Sequence, residues 1–201
     1  AGNLIGTYAG RYSGPALATG SHIDTVPSGG RFDGVLGVLA GIEVVRTLRE
    51  HDLRLDHPLE TIVFTDEENT MIGCQAMAGT VLLDSPERYQ TKLGKSIQEC
   101  LEMFGGDWDA LATAKRTRSD VAAFVELHVE QGIVLERTGN DIGIVQGVVG
   151  MQRKAITIVG QANHACTTPM DMRQDALVAA AEVVLAIRDL AQRMPRQPVA
   201  T

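Results

Sequence analysis

The sequence has 201 residues, 44% hydrophobic and 21% charged, with a net charge of −7. That composition buries a real core and suits one large domain or two small ones, and with no block of Lys or Arg it excludes nucleic acid and anionic membrane surfaces as partners. No uncharged apolar run approaches the roughly 18 residues needed to span a bilayer. Three widely spaced cysteines, Cys74, Cys100 and Cys166, without a C-x-x-C pair, favour a reduced, cytoplasmic protein.

In chain order, Leu4 to Tyr8 and Ala16 to Thr19 read as strands joined by a turn containing Gly10, Ser13, Gly14 and Pro15. A loop rich in Gly and Pro follows (Pro27, Ser28, Gly29, Gly30). Apolar residues at helical spacing then predict a helix from Val35 to Glu50, packed through Val35, Leu36, Leu39, Ile42, Val45 and Leu48. Leu59 to Thr65 is a second strong strand running into Asp66-Glu67-Glu68. Ile72 to Leu83 is helix-compatible despite Gly73 and Gly79. Ser85-Pro86-Glu87 resembles a helix start, and that helix, or a pair of short ones, carries the chain to about Phe104. Ala110 to Lys115 is a short helical piece.

Val121 to Glu130 reads as a third buried strand ending in polar groups, with further strands expected at Ile142 to Val149 and Ala155 to Val159. Gly147 and Gly150 make a plausible hinge, and Arg173 to Gln192 is a long amphipathic helix. Strands alternating with helices indicate an α/β fold. Both ends look cut: the first residues begin inside a strand-like pattern, and Pro198 to Thr201 looks like a strand just starting.

The chemistry-bearing residues fall at strand ends, where open α/β sheets keep their sites. His22 and Asp24 sit two apart in an extended segment and share a face. That arrangement lets one imidazole nitrogen bind a metal while a carboxylate holds the other ring N–H; the plainer reading is a capped turn. Asp33 on the turn Phe32-Asp33-Gly34, the pair Glu67-Glu68 and His128 complete a set of imidazoles and carboxylates that suits zinc, with manganese and cobalt as competitors. Two neighbouring metals need a bridging carboxylate, for which Asp33 is the natural choice. Of two adjacent carboxylates on a loop, one can bind metal and the other serve as base. This makes Glu68 the ligand and Glu67 the base, although an acidic pair after a strand can also be simply solvated.

Taken together, Gly20-Ser-His-Ile-Asp-Thr-Val-Pro27, Gly30-Arg-Phe-Asp-Gly34, Asp66-Glu-Glu68, Glu126-Leu-His-Val-Glu-Gln-Gly132 and His164-Ala-Cys-Thr-Thr-Pro-Met170 resemble the co-catalytic metallopeptidase superfamily M20 typified by carboxypeptidase G2. More narrowly they resemble its amidohydrolase branch: N-carbamoyl-L-amino-acid hydrolases, β-ureidopropionases and allantoate amidohydrolases. The resemblance covers essentially the whole chain. It implies a zinc-peptidase-like catalytic domain, a central mixed sheet flanked by helices, over residues 1–149, and the opening of an α+β dimerisation or lid domain over 150–201.

By the same resemblance His22, Asp33, Glu68 and His128 bind two divalent metal ions, with Asp33 bridging. Asp24 orients His22, Glu67 is the acid/base, and Gln131 contacts a carbamoyl- or ureido-substituted substrate. His164 would reach across a homodimer interface to polarise the scissile carbonyl; read without the family, it belongs to a helix N-cap region. The imidazole at His128 points to the carbamoyl-type branch. The chain departs from the branch at Asn69-Thr70-Met71-Ile72, where Gly-Ser-Arg-Phe is usual, and at Cys166, where glycine is usual. The family's last metal-binding His and its carboxylate-binding Arg would lie beyond Thr201, so the segment alone is expected to be nearly inactive. The alternatives are a peptidase or deacylase acting on peptide-like amides, and a non-catalytic dimerisation or binding module with a relict site.

Overall fold

Four strands form one mixed sheet: β1 (Leu4–Tyr8), β2 (Ala16–His22), β3 (Leu59–Phe64) and β4 (Val121–Val125), in the spatial order β1-β3-β2-β4. The computed structural model describes residues 1–195 and 198–200; Thr201, the last residue of the strand expected at 198–201, lies outside them. β1 runs antiparallel to β3, whereas β2 runs parallel to both of its neighbours. Helix α1 (Val35–Glu50) links β2 to β3 as the crossover that a parallel pair requires. The result is the mixed α/β architecture expected from alternating strands and helices.

The sheet-facing side of α1 differs from the expected one. Gly37, Val38 and Gly41 are buried, while Leu39 and Ile42 are exposed. The cause is close approach. A Cβ on Gly37 would lie 2.4 Å from the Leu127 carbonyl oxygen and 2.8 Å from Ser21 Cβ, and one on Gly41 would lie 2.7 Å from Thr61 Cγ2. Small residues on the helix and on β2 (Ala16, Ala18, Gly20, Ser21) let the two backbones approach, and a face of leucines would hold them apart.

The segments after β3 build an apolar cluster of their own. Helix α2 (Ile72–Ala78) is shorter than expected, because Gly79 takes up a left-handed conformation at its C-terminal end. A 3₁₀ turn at Pro86–Arg88, α3 (Ile97–Met103) and a 3₁₀ segment at Asp109–Ala114 follow. Ile72, Ala76, Ile97, Leu101 and Leu111 pack with Tyr89 and Trp108, whose rings meet edge to face at 5.4 Å. The polar tips are paired: Trp108 Nε1–H donates to the Leu83 carbonyl (3.2 Å) and Tyr89 O–H to Gln75 Oε1 (3.1 Å).

β4 ends at Val125 and is largely exposed, in contrast to the buried strand expected through Glu130; among the described residues it pairs with β2 alone. A short unanticipated helix, α4 (Val134–Thr138), follows.

The chain divides into two compact units, Ala1–Gly143 and Ile144–Thr201. The second contains a 3₁₀ turn at Met170–Met172 and α5 (Ala176–Arg193), started by Asp175, whose carboxylate accepts from the Leu177 and Val178 N–H groups. The strands expected at 142–149 and 155–159 do not form. A strand needs a neighbour for its ladder, and among the described residues the only β-bridge in this region joins Gln161 to Gln174.

Candidate metal centre

The candidate site lies at the carboxyl ends of the parallel strands in the first unit. β2 delivers His22, of which only 3% is exposed. Gly34 makes room for it: at φ +69° it has a conformation that side chains disfavour, and a Cβ there would stand 2.4 Å from the His22 ring. The same turn carries Asp33 into α1. Beyond β4, the chain delivers His128. Ligand atoms of His22, Asp33 and His128 all lie within 4.8 Å of one another, and the two imidazole centroids are 5.9 Å apart.

Main-chain oxygens set the aim of both rings. His22 Nδ1–H donates to the Asp24 carbonyl and His128 Nδ1–H to the Val129 carbonyl, each at 2.8 Å. A carbonyl can only accept, so Nδ1 carries the hydrogen in both rings and Nε2 is the atom turned to the site. His128 Nε2 is 3.2 Å from Asp33 Oδ1, and His22 Nε2 is 3.6 Å from Glu67 Oε2. Asp33 Oδ1 and Asp24 Oδ1 are buried, and no hydrogen-bond donor among the described residues reaches them. Imidazole nitrogens beside a desolvated carboxylate oxygen that lacks a donor form a donor set that fits a divalent cation.

Asp24 touches both loops of the site. Its backbone oxygen orients His22, with the carboxylate Oδ1 farther off at 3.7 Å. Its Oδ2 accepts the Glu68 N–H at 3.0 Å, so Asp24 ties the β2 loop to the β3 loop.

The β3 loop closes on itself. Asp66 sits at φ +55°, its carboxylate accepts from the Thr70 N–H (3.0 Å) and the Thr70 hydroxyl, and Asn69 Nδ2 reaches the Gln90 carbonyl (3.2 Å). Asn69 and Thr70 are therefore the residues that lock this turn. The turn projects Glu67 toward His22. Burial raises the Glu67 carboxyl above the ordinary range; the His22 imidazole opposes this, and the charges of Glu68, Asp24 and Glu126 add to it. Glu68 is not a member of the close group of donors, which among the described residues comprises His22, Asp33 and His128.

Gln131 also holds a left-handed conformation, at φ +59°, and its Nε2–H donates to Asp33 Oδ2 at 2.7 Å. Glu130 fixes this loop by accepting from the Val134 and Leu135 N–H groups at the start of α4. His164 belongs to the second unit, is exposed, and accepts the Cys166 N–H through Nδ1 at 3.2 Å. The residue capping α5 is Asp175, not His164.

Sequence reasoning missed two residues here, Ser21 and Glu126. Ser21 Oγ–H donates to Glu126 Oε1 at 2.6 Å. The available signal was position: one precedes His22, and the other stands two residues before His128.

The profile of Peptidase family M20/M25/M40 matches residues 18–201. The chain belongs to that family. This M20 chain is 45% identical over 199 residues to the N-carbamoyl-L-amino acid amidohydrolase of Geobacillus stearothermophilus, covering 96% of this chain and 48% of that protein. It is 36% identical over 189 residues to the allantoate amidohydrolase of Bacillus subtilis, covering 91% of this chain and 45% of that protein. Among solved structures it resembles a hydantoinase/carbamoylase family amidase from Burkholderia ambifaria, with a TM-score of 0.70 at 33% identity over 95% of this chain and 47% of that one. The M20 chain thus spans about half the length of the relatives it matches. M20 is a metal-dependent family, and no helix among the described residues is long and apolar enough to cross a membrane.

Proposed function

We propose that this M20 chain supplies the metal-binding half of a site that hydrolyses a linear C–N bond in an N-carbamoyl amino acid or in allantoate. The observation that carries the reading is the convergence of His22, Asp33 and His128, with both imidazoles held at Nδ1 by main-chain carbonyls. The names of the relatives, amidohydrolases acting on carbamoyl amino acids and on allantoate, support the choice of bond. His22, Asp33, Glu68 and His128 would hold two divalent ions, zinc first and manganese or cobalt next, which supply a polarised carbonyl and a more acidic water.

The chain's own residues do the rest. Glu67, its carboxyl made more basic by burial, takes the proton from the attacking water and returns it to the departing nitrogen. Asp24 and Gln131 hold the loops of the ligands in place, and Gln131 also faces the substrate. His164 acts on the substrate carbonyl of a partner copy in a homodimer, as an oxyanion donor. In this reading residues 1–149 are the catalytic part and 150–201 the opening of the dimerisation or lid domain. Free Cys74, Cys100 and Cys166 support a reducing, cytoplasmic setting.

The test is turnover by the intact protein, loaded with zinc, manganese or cobalt in turn, on N-carbamoyl-L-amino acids, allantoate and dipeptides. Hydrolysis of a carbamoyl amino acid or of allantoate is expected. Turnover of dipeptides alone overturns the substrate class in favour of a peptidase, and failure to bind any of the three metals overturns the reading in favour of a non-catalytic module.

A further inference from the structure

The β2–β4 ladder stops at the pair Thr19–Val125. Past that point β2 continues against β3, pairing Ser21 with Val63 and His22 with Phe64, while the chain after Val125 leaves the sheet. The two imidazoles of the candidate centre thus ride on segments that no longer share backbone hydrogen bonds, yet their rings are held 5.9 Å apart. Among the described residues, one side-chain hydrogen bond joins the two segments: Ser21 Oγ–H to Glu126 Oε1, at 2.6 Å. Ser21 is wholly buried, and a hydroxyl donating to a carboxylate at this length is a charge-assisted bond, about twice as strong as a neutral one. Each partner is a near neighbour in sequence of an imidazole, Ser21 next to His22 and Glu126 two residues before His128.

We infer that Glu126, acting through Ser21, is a positioning residue that sets the separation of the His22 and His128 imidazoles and thereby the geometry of the bound metal. The inference rests on the metal-site reading above. Glu126 binds nothing itself in this role. It clasps the open end of the β2–β4 pair, where backbone pairing has stopped. Groups that orient metal ligands typically change affinity ten- to a hundredfold when removed. A glutamine at this position keeps an oxygen for the Ser21 hydroxyl, whereas alanine does not.

The experiment titrates the metal-free intact protein with Co2+ and follows its visible d–d absorption, in the parent and in the Glu126→Ala, Ser21→Ala and Glu126→Gln variants, with thermal unfolding of each metal-free protein in parallel. Glu126→Ala and Ser21→Ala are expected to weaken Co2+ binding by about tenfold or more and to shift the d–d band, with Glu126→Gln restoring both to near the parent. Parental affinity and spectrum in Glu126→Ala, or a loss confined to the unfolding temperature, overturn the positioning role. A parent that takes up no Co2+ overturns the metal reading itself, and the clasp with it.

Discussion

Gly34→Ala is the sharpest test of how the site is built. At φ +69° an L-residue carries a strain of about 1–2 kcal/mol that glycine does not. The added Cβ would also stand 2.4–2.5 Å from three atoms of the His22 ring, against 3.4 Å for ordinary contact, so ring or turn must shift by about 1 Å. His22 is too buried to move outward freely, and overpacking of this kind costs about 1–3 kcal/mol more. The expected loss is therefore about 2–5 kcal/mol in urea unfolding, with metal affinity falling at least tenfold as Nε2 loses its aim. Gly30→Ala is the control, since a Cβ there meets nothing within 4 Å among the described residues. If Gly34→Ala matches Gly30→Ala in both unfolding and zinc titration, the close approach of Gly34 to His22 is not what places the imidazole.

Glu67→Gln should abolish turnover of the metal-loaded protein while leaving metal content unchanged; retained activity refutes the base assignment. Because burial raises the Glu67 carboxyl above its ordinary value of 4.5, this group favours folding below that pH and loses its contribution as pH rises through the raised pKa. Metal-free Glu67→Gln should therefore melt above the parent at pH 8 but not at pH 4; equal differences at both would refute the burial argument. Cys74, its thiol pushed up to about 11 mainly by burial, should resist iodoacetamide at pH 8, while exposed Cys166 alkylates readily, as read by peptide mass spectrometry. Trp108→Ala should cost about 3–5 kcal/mol in denaturant unfolding, since it removes a buried ring from the apolar cluster that also holds Tyr89, Ile72 and Leu111. Zinc at a hundred times its dissociation constant should stabilise the first unit by about 2.7 kcal/mol, reversed by chelation; no shift would argue against a preformed site.

Much of the fold was legible where one local signal dominates. α1 runs from Val35 to Glu50 as its periodicity predicts, β1 spans Leu4–Tyr8 as expected, and β3 covers Leu59–Phe64 of the strand expected to Thr65. The inward side of α1 was not legible, because apolar periodicity favours leucine, whereas the contact with Ser21 and Thr61 selects glycine. The strands expected at 142–149 and 155–159 show the limit of pattern alone: alternation marks a segment suited to a sheet, but a ladder needs a neighbour, and the described residues supply none. At the site, residue types and strand-end positions pointed to His22, Asp33 and His128, which converge. The part played by the Asp24 backbone was invisible, since any residue offers a carbonyl. The Ser21–Glu126 bond was equally hidden, because its partners are 105 positions apart.

Holding both imidazoles by the main chain separates the aim of a ligand from the identity of its neighbour. Any amino acid at position 129 presents the same oxygen to His128, so that position can change in size or polarity while the ring keeps its direction. Position 24 lacks this freedom, because its carboxylate also receives the Glu68 N–H. Position 129 is thus where the chain beside His128 tolerates a change of side chain without turning the imidazole.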